Sequence, residues 1–141
     1  MRKIMVFGTF DIFHEGHRDF LRQASKFGDC LVVVIARDET VKNVKREDPS
    51  NNENDRLEIV KESGLVAKAV LGGLNDKYDI IREIDPDVIC LGYDQSFFVD
   101  KLQDKLESFG MNNVKIVRLI SYHPEKYKSS RLRLLKSKSK L

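Results

Sequence analysis

Cys30–Ala36 is an unbroken run of apolar, mostly β-branched residues. Such a run suits a strand covered on both faces, the situation of strands inside a parallel sheet flanked by helices. The rest of the chain repeats the theme. Strand patterns at Lys3–Phe7, Ala67–Leu71, Val88–Leu91 and Val114–Ile120 alternate with helical stripes. The stripes fall at Phe20, Leu21, Ala24 and Phe27; at Asp55–Ser63; at Asp76–Ile84, stopped before Pro86; and at Phe98, Leu102, Leu106 and Phe109. A last helix is expected over Ser129–Lys138. The reading is an open five-stranded parallel α/β sheet with helices on both faces, in one domain over residues 1–141. In such sheets ligands bind beyond the carboxyl ends of the strands, where strand order reverses. That rule marks segments 8–17, 37–46 and 92–95.

Charge is unevenly placed. The net charge is +3, yet residues 1–125 carry 18 basic and 22 acidic side chains. Residues 126–141 carry seven basic side chains and no acid, with Leu132, Leu134 and Leu135 among them. A basic helix or tail of this kind suits an anionic substrate at least as well as nucleic acid. No RNA-recognition aromatic motif accompanies it, so nucleic acid ranks low as a partner. No apolar run approaches the roughly 20 residues that span a bilayer, so no membrane association is expected. The apolar stretch after Met1 is too short for a signal peptide, and a cytoplasmic location is the expectation. Cys30 and Cys90 lie inside apolar runs and form no C-x-x-C pair, which fits buried free thiols.

The turn after the first strand concentrates the chemistry. It reads Gly8, Thr9, Phe10, Asp11, Ile12, Phe13, His14, Glu15, Gly16, His17. A glycine at the strand end lets backbone approach a ligand closely. His14 and His17 then open a helix, whose unpaired N–H groups and dipole favour an anion, phosphate above all. Two histidines three apart also fit a solvated helix face or an adventitious metal site. Their position behind a glycine turn in a parallel α/β pattern favours a function. The spacing is not the H-E-x-x-H of zinc proteases, no third ligand is in view, and no metal ligand set is assigned.

Gly8-Thr9-Phe10-Asp11 followed by His14-Glu15-Gly16-His17 resembles the G-T-F-D-x-x-H-x-G-H signature of the cytidylyltransferase-like nucleotidyltransferases. The resemblance implies a Rossmann-like fold and transfer of a nucleoside monophosphate from a triphosphate to a phosphate-bearing acceptor. Ala36-Arg37-Asp38-Glu39-Thr40-Val41-Lys42 and Leu91-Gly92-Tyr93-Asp94-Gln95 are most similar to the archaeal FAD synthetase group. ATP and FMN are therefore the favoured substrates. CTP with glycerol-3-phosphate or a related phosphoalcohol is the alternative, as is a sugar-phosphate adenylyltransferase of the lipopolysaccharide-precursor kind. A nucleotide sensor without catalysis is the reading from another class; intact His14 and His17 argue against it.

The roles follow residue by residue. His14 and His17 are expected to donate hydrogen bonds to the α/β-phosphate region. Gly8, Thr9, Phe10 and Gly16 shape the turn that holds triphosphate oxygens, and Asp11 orients it or helps to place Mg²⁺. The family's I-S-S-T-x-x-R pattern survives at Ser129, Ser130 and Arg133, which implies β/γ-phosphate contacts there. Gly92 and Asp94 stand where family members hold the nucleoside. Lys42, Lys45 and Arg46 follow the second strand on the ligand edge and suit an acceptor phosphate. Arg56 matches a basic position of the family and joins them. Lys115 and Arg118 are read as surface charges. The polar stretch 47–55 is long enough to close as a lid. Homodimers are common in the superfamily, and a homodimer is the corresponding expectation.

Overall fold

A computed structural model describes residues 1–73, 76, 78–95 and 99–122. Among them the elements run β1 (Lys3–Gly8), α1 (Glu15–Ser25), β2 (Cys30–Ile35), α2 (Asp38–Lys45), α3 (Glu53–Glu62), β3 (Lys68–Leu71), α4 (Asp79–Ile84), β4 (Val88–Leu91), α5 (Val99–Ser108) and β5 (Lys115–Arg118). The five strands form one sheet in the order β3-β2-β1-β4-β5, and every neighbouring pair is parallel. The register is set at the centre, where Ile4 pairs with Leu31 on one side and Val88 on the other. Strand order reverses between β1 and β4, so a crevice opens there above the strand ends.

The alternation of side chains along each strand divides the core into two layers. Ile4, Val6, Leu31, Val33 and Cys90 pack with Leu21 and Ala24 of α1 and Val60 of α3. Met5, Val34, Ile89 and Leu91 pack on the other face with Ile81 of α4 and Leu102 and Leu106 of α5. Both faces are thus covered, as the composition of β2 requires. Burial pushes the Cys90 thiol up to about 11, which fits an inert core residue. No helix among the described residues is long and apolar enough to cross a membrane.

One element departs from the sequence reading. Residues 38–45, taken above as part of a ligand-edge segment, form the helix α2. Its start lacks a side-chain cap and it buries one residue, Val41, so the usual apolar stripe is missing. Its charges still follow the helix dipole, with Asp38 and Glu39 in the first turn and Lys42 and Lys45 in the last. The chain leaves α2 through Arg46 in the left-handed region (φ 64°). The strands at the far end are also shorter than expected, β5 ending at Arg118.

Candidate active site

The first turn is built on a close approach. Phe10 adopts φ 53° and folds its ring back over the end of β1, where it is buried. A Cβ on Gly8 would lie 2.5 Å from that ring, so glycine is required there. The Phe10 ring meets His17 edge-on at 5.2 Å, and Phe13 stacks on His17 at 5.6 Å. The imidazole is therefore held from two sides before any polar contact is counted.

The two histidines cap their own helix. Nδ1 of His14 accepts the Gly16 N–H at 3.0 Å, and Nδ1 of His17 accepts the His14 N–H at 3.2 Å. This reciprocal arrangement is a capping box in which imidazoles take the parts usually played by hydroxyl and carboxylate. A Cβ on Gly16 would sit 2.9 Å from Cε1 of His14, so the glycine between the histidines makes room for the cap. The rings stack with centroids 3.9 Å apart. Since each Nδ1 accepts a backbone N–H, the neutral ring carries its proton on Nε2. Burial, then electrostatic repulsion from His14, Lys45 and Arg18, lowers the His17 pKa to about 4. At neutral pH His17 is an uncharged Nε2–H donor, not a group poised between charge states.

Above this turn lies a cleft of about 1070 Å³, which His14, His17, Gly8, Thr9, Phe10, Asp11 and Gly16 line. One flank comes from the ends of β4 and β5, with Gly92, Tyr93, Asp94, Ile120 and Tyr122. The other comes from α2 and the ends of β2 and β3, with Arg37, Thr40, Val44, Lys45, Gly72 and Gly73. The sheet thus brings segments 8–17, 37–45 and 92–95 to one crevice.

Of the basic residues assigned to an acceptor, only Lys45 lines this cleft. Lys42 and Arg46 are exposed and stand outside it. Arg56 is a correction of a different kind: it is completely buried. Its guanidinium donates to the carbonyls of Asn51 (3.0 Å), Thr9 (2.9 Å) and Ala36 (2.8 Å), and to the Asp38 carboxylate at 2.6 Å. With those donors committed to protein oxygens, Arg56 joins β1, β2, α2 and α3 beneath the cleft and does not reach a ligand. Glu53 completes the brace by accepting from Arg37 and from the Asp38 N–H.

Asp11 is engaged as well. Its carboxylate accepts the N–H groups of Ser50 (2.7 Å) and Asn51 (2.8 Å), while the Asn51 amide donates to its carbonyl. Partial burial would raise its pKa, but those bonds, with Arg56 and Lys45 nearby, hold it below the ordinary carboxylate value. Segment 50–51 is thereby fastened to the first turn. Among the described residues no group of three or more His, Cys, Asp or Glu could hold a metal ion. Ser129, Ser130 and Arg133, with the whole basic segment 126–141, lie outside the described residues.

The sequence reading placed Arg37 in segment 37–46 without giving it a role; its Nε donates to the Gly72 carbonyl and its guanidinium pairs with Glu53 at 3.1 Å. It placed Tyr93 in segment 92–95 without giving it a role, and it passed over Ile120 and Tyr122, whose signal was their position after strand β5. Arg118 is exposed, as a surface charge is, and its Nη1 also donates to the carbonyls of Gly92 and Gln95.

Known proteins resemble this chain over most of its length. The model of the cytidylyltransferase-like family matches residues 5–135. An FAD synthase of Thermoplasma volcanium is 42% identical over 133 residues, covering 94% of this chain and 92% of the relative. One from Pyrococcus horikoshii is 42% identical over 135 residues, covering 95% and 88%. A crystal structure of a lipopolysaccharide core biosynthesis protein from Thermoplasma volcanium superimposes with a TM-score of 0.82 at 43% identity, covering 87% of this chain and 99% of that one. Pantoate–β-alanine ligase from Francisella tularensis shares the fold, with a TM-score of 0.59 at 16% identity over 87% of this chain and 60% of its own.

Proposed function

The chain belongs to the cytidylyltransferase-like family, and from that premise we propose that it transfers AMP from ATP to FMN, giving FAD and pyrophosphate. The observation that carries the reading is the pair of imidazoles, each with Nδ1 bound to backbone and Nε2–H left as donor, at the edge of one large cleft. The FAD synthase names of relatives at about 42% identity support ATP and FMN as the substrates. The cleft of about 1070 Å³ lies at the upper end of the roughly 300–1,000 Å³ usual for a ligand pocket, which suits a nucleotide.

The chemistry asks little covalent help. A phosphate monoester is largely dianionic at pH 7, its second pKa being about 6, so the FMN phosphate needs no general base. Its oxygen attacks the α-phosphorus of ATP in line; the bond from that phosphorus to the bridging α/β oxygen breaks, and pyrophosphate leaves. Negative charge grows on the bridging and terminal oxygens. The Nε2–H groups of His14 and His17 and the N-terminus of α1 stabilise it without surrendering a proton. Lys45 reaches the cleft from α2 and suits the acceptor phosphate. A divalent cation such as Mg²⁺ fits as an ion carried by the triphosphate, since the cleft carboxylates are few (Asp11, Asp19, Asp94) and Asp11 and Asp19 already accept hydrogen bonds. When bound it would neutralise phosphate charge. A cytoplasmic location and a homodimer belong to the same proposal.

A second reading has one specific support, the name of the solved Thermoplasma volcanium protein, which points to a sugar-phosphate acceptor. Pyrophosphate release with Mg²⁺, ATP or CTP, and each of FMN, a heptose phosphate, glycerol-3-phosphate and phosphoethanolamine decides between them. Release with ATP and FMN alone, accompanied by FAD, is the expected result. Release with CTP and a phosphoalcohol, or with ATP and the sugar phosphate, keeps the mechanism and replaces the acceptor.

A further inference from the structure

The β4/β5 flank carries two exposed apolar side chains on tightly held backbone. Tyr93 is 60% and Ile120 76% exposed, and both line the cleft. Apolar side chains exposed along a cleft offer surface for a ligand to cover. What is unusual is how their backbones are fixed. Arg118, at the end of β5, sends one nitrogen, Nη1, to the Gly92 carbonyl at 2.7 Å and the Gln95 carbonyl at 2.6 Å. The Gln95 amide closes the same turn from inside, accepting the Gly92 N–H at 3.1 Å and donating to the Phe7 carbonyl of β1 at 3.2 Å. Tyr93 is therefore carried on a turn tied to β1 and β5 at once.

Ile120 is held by a matching device. Gln23 of α1 accepts the Ile120 N–H at 3.1 Å and donates to the Ile120 carbonyl at 2.9 Å, and its amide also donates to Asp19 at 2.7 Å. One side-chain amide thus satisfies both backbone groups of one residue. Neither Arg118 nor Gln23 lines the cleft. Each acts through a residue that does.

Resting on the reading that the cleft binds a nucleoside triphosphate through His14 and His17, we propose that Arg118 and Gln23 are positioning residues for the base of that nucleotide. They fix Tyr93 and Ile120 in advance, so a flat base meets walls that need not be ordered on binding. Pre-ordering of this kind raises affinity by removing an entropic cost, not by adding contacts. It affects the end of the ligand that carries the base and leaves the phosphates to the first turn.

The test separates those two ends. Binding of ATP and of inorganic tripolyphosphate, which has no base, is measured by calorimetry for the full chain and for Arg118→Ala, Gln23→Ala, Arg118→Lys and the strand control Lys115→Ala. Loss of a pair of backbone-directed hydrogen bonds is expected to weaken ATP about 10-fold in each alanine variant. Tripolyphosphate binding, FMN KM and Tm should stay at wild-type values. Arg118→Lys, whose ammonium can still donate to two carbonyls, should recover most of the loss, and Lys115→Ala should change nothing. Unchanged ATP affinity in both alanine variants overturns the proposal. So does equal weakening of ATP and tripolyphosphate, or a fall in Tm with both ligands affected, because either would make the residues ordinary braces. A wild-type protein that binds ATP but makes no FAD would contradict the functional reading and leave this comparison of ligands intact.

Discussion

The two sides of the cleft are built on different principles. On the β1–α1 side, the histidine pair is supported from within Gly8 to His17: Phe10 under His17, Gly16 making room for His14, and each imidazole capping the helix that bears it. On the β2–α2 side the supports come from afar. Arg56 of α3 reaches Thr9 and Ala36, Glu53 of α3 reaches Asp38, and Asp11 holds Ser50 and Asn51. The histidine pair thus rests on contacts local in sequence, whereas the other side rests on contacts between distant segments. The proposed phosphate chemistry falls on the first side and the proposed acceptor contact of Lys45 on the second.

That division can be broken most severely at the histidines. Replacing His14 or His17 by Ala is expected to lower kcat about 10²–10³-fold, the loss usual for one donor to a developing oxyanion. FMN KM, read in the same steady-state assays, should hardly move. Comparable loss in KM with kcat preserved would place the histidines in ground-state binding instead.

Stability separates the sides next. Arg56→Met removes a fully buried guanidinium and leaves Asp38 and three carbonyls without their donor. Urea denaturation should show a loss of about 3 kcal/mol, the low end for breaking a buried charge pair, since Asp38 keeps some contact with water. Gly16→Ala should act the other way round. Its Cβ would fall 2.9 Å from His14, and displacing that ring by about 1 Å should lower kcat about 10²-fold with a modest change in Tm.

Smaller effects sharpen the assignment. Lys45→Ala should raise FMN KM about 10-fold through loss of one charged contact, while the exposed Lys42→Ala should have a smaller effect. The pH profile of stability gives the finest test. His17 takes its proton near 6.5 when unfolded and only at about 4 when folded. Between those values the unfolded chain holds more protons, so stability should fall as pH drops from 6.5 toward 4. In His17→Gln that part of the Tm slope should disappear. The contribution of Asp11 lies elsewhere: its lowered pKa places its loss of stabilisation below the ordinary value of 3.8.

The same contrast explains what could be read from the sequence. The sheet was legible because strands covered on both faces must be apolar throughout, as β2 and β4 are. The histidine pair was legible because its supports are neighbours in sequence. Helix α2 was harder, having one buried residue and no cap, although its charges follow the dipole. Arg56 was misassigned because a buried arginine looks like an exposed one until its long-range partners are placed, and nothing near residue 56 announces Thr9 or Ala36. Arg118 is at the surface as expected, but its bonds were hidden for the same reason, its partners lying on the turn after β4. Contacts that join segments are a property of the topology, and single residues do not reveal them.

The most direct measurement follows a label through the reaction. The protein is incubated with FMN, Mg²⁺ and ATP carrying its radiolabel at either the α- or the γ-phosphate. The predicted result is α-label in FAD, γ-label in pyrophosphate, and neither transfer in the His14→Ala, His17→Ala double variant. Label from the γ-position in a flavin product, or α-label transferred equally well without the two histidines, would contradict it.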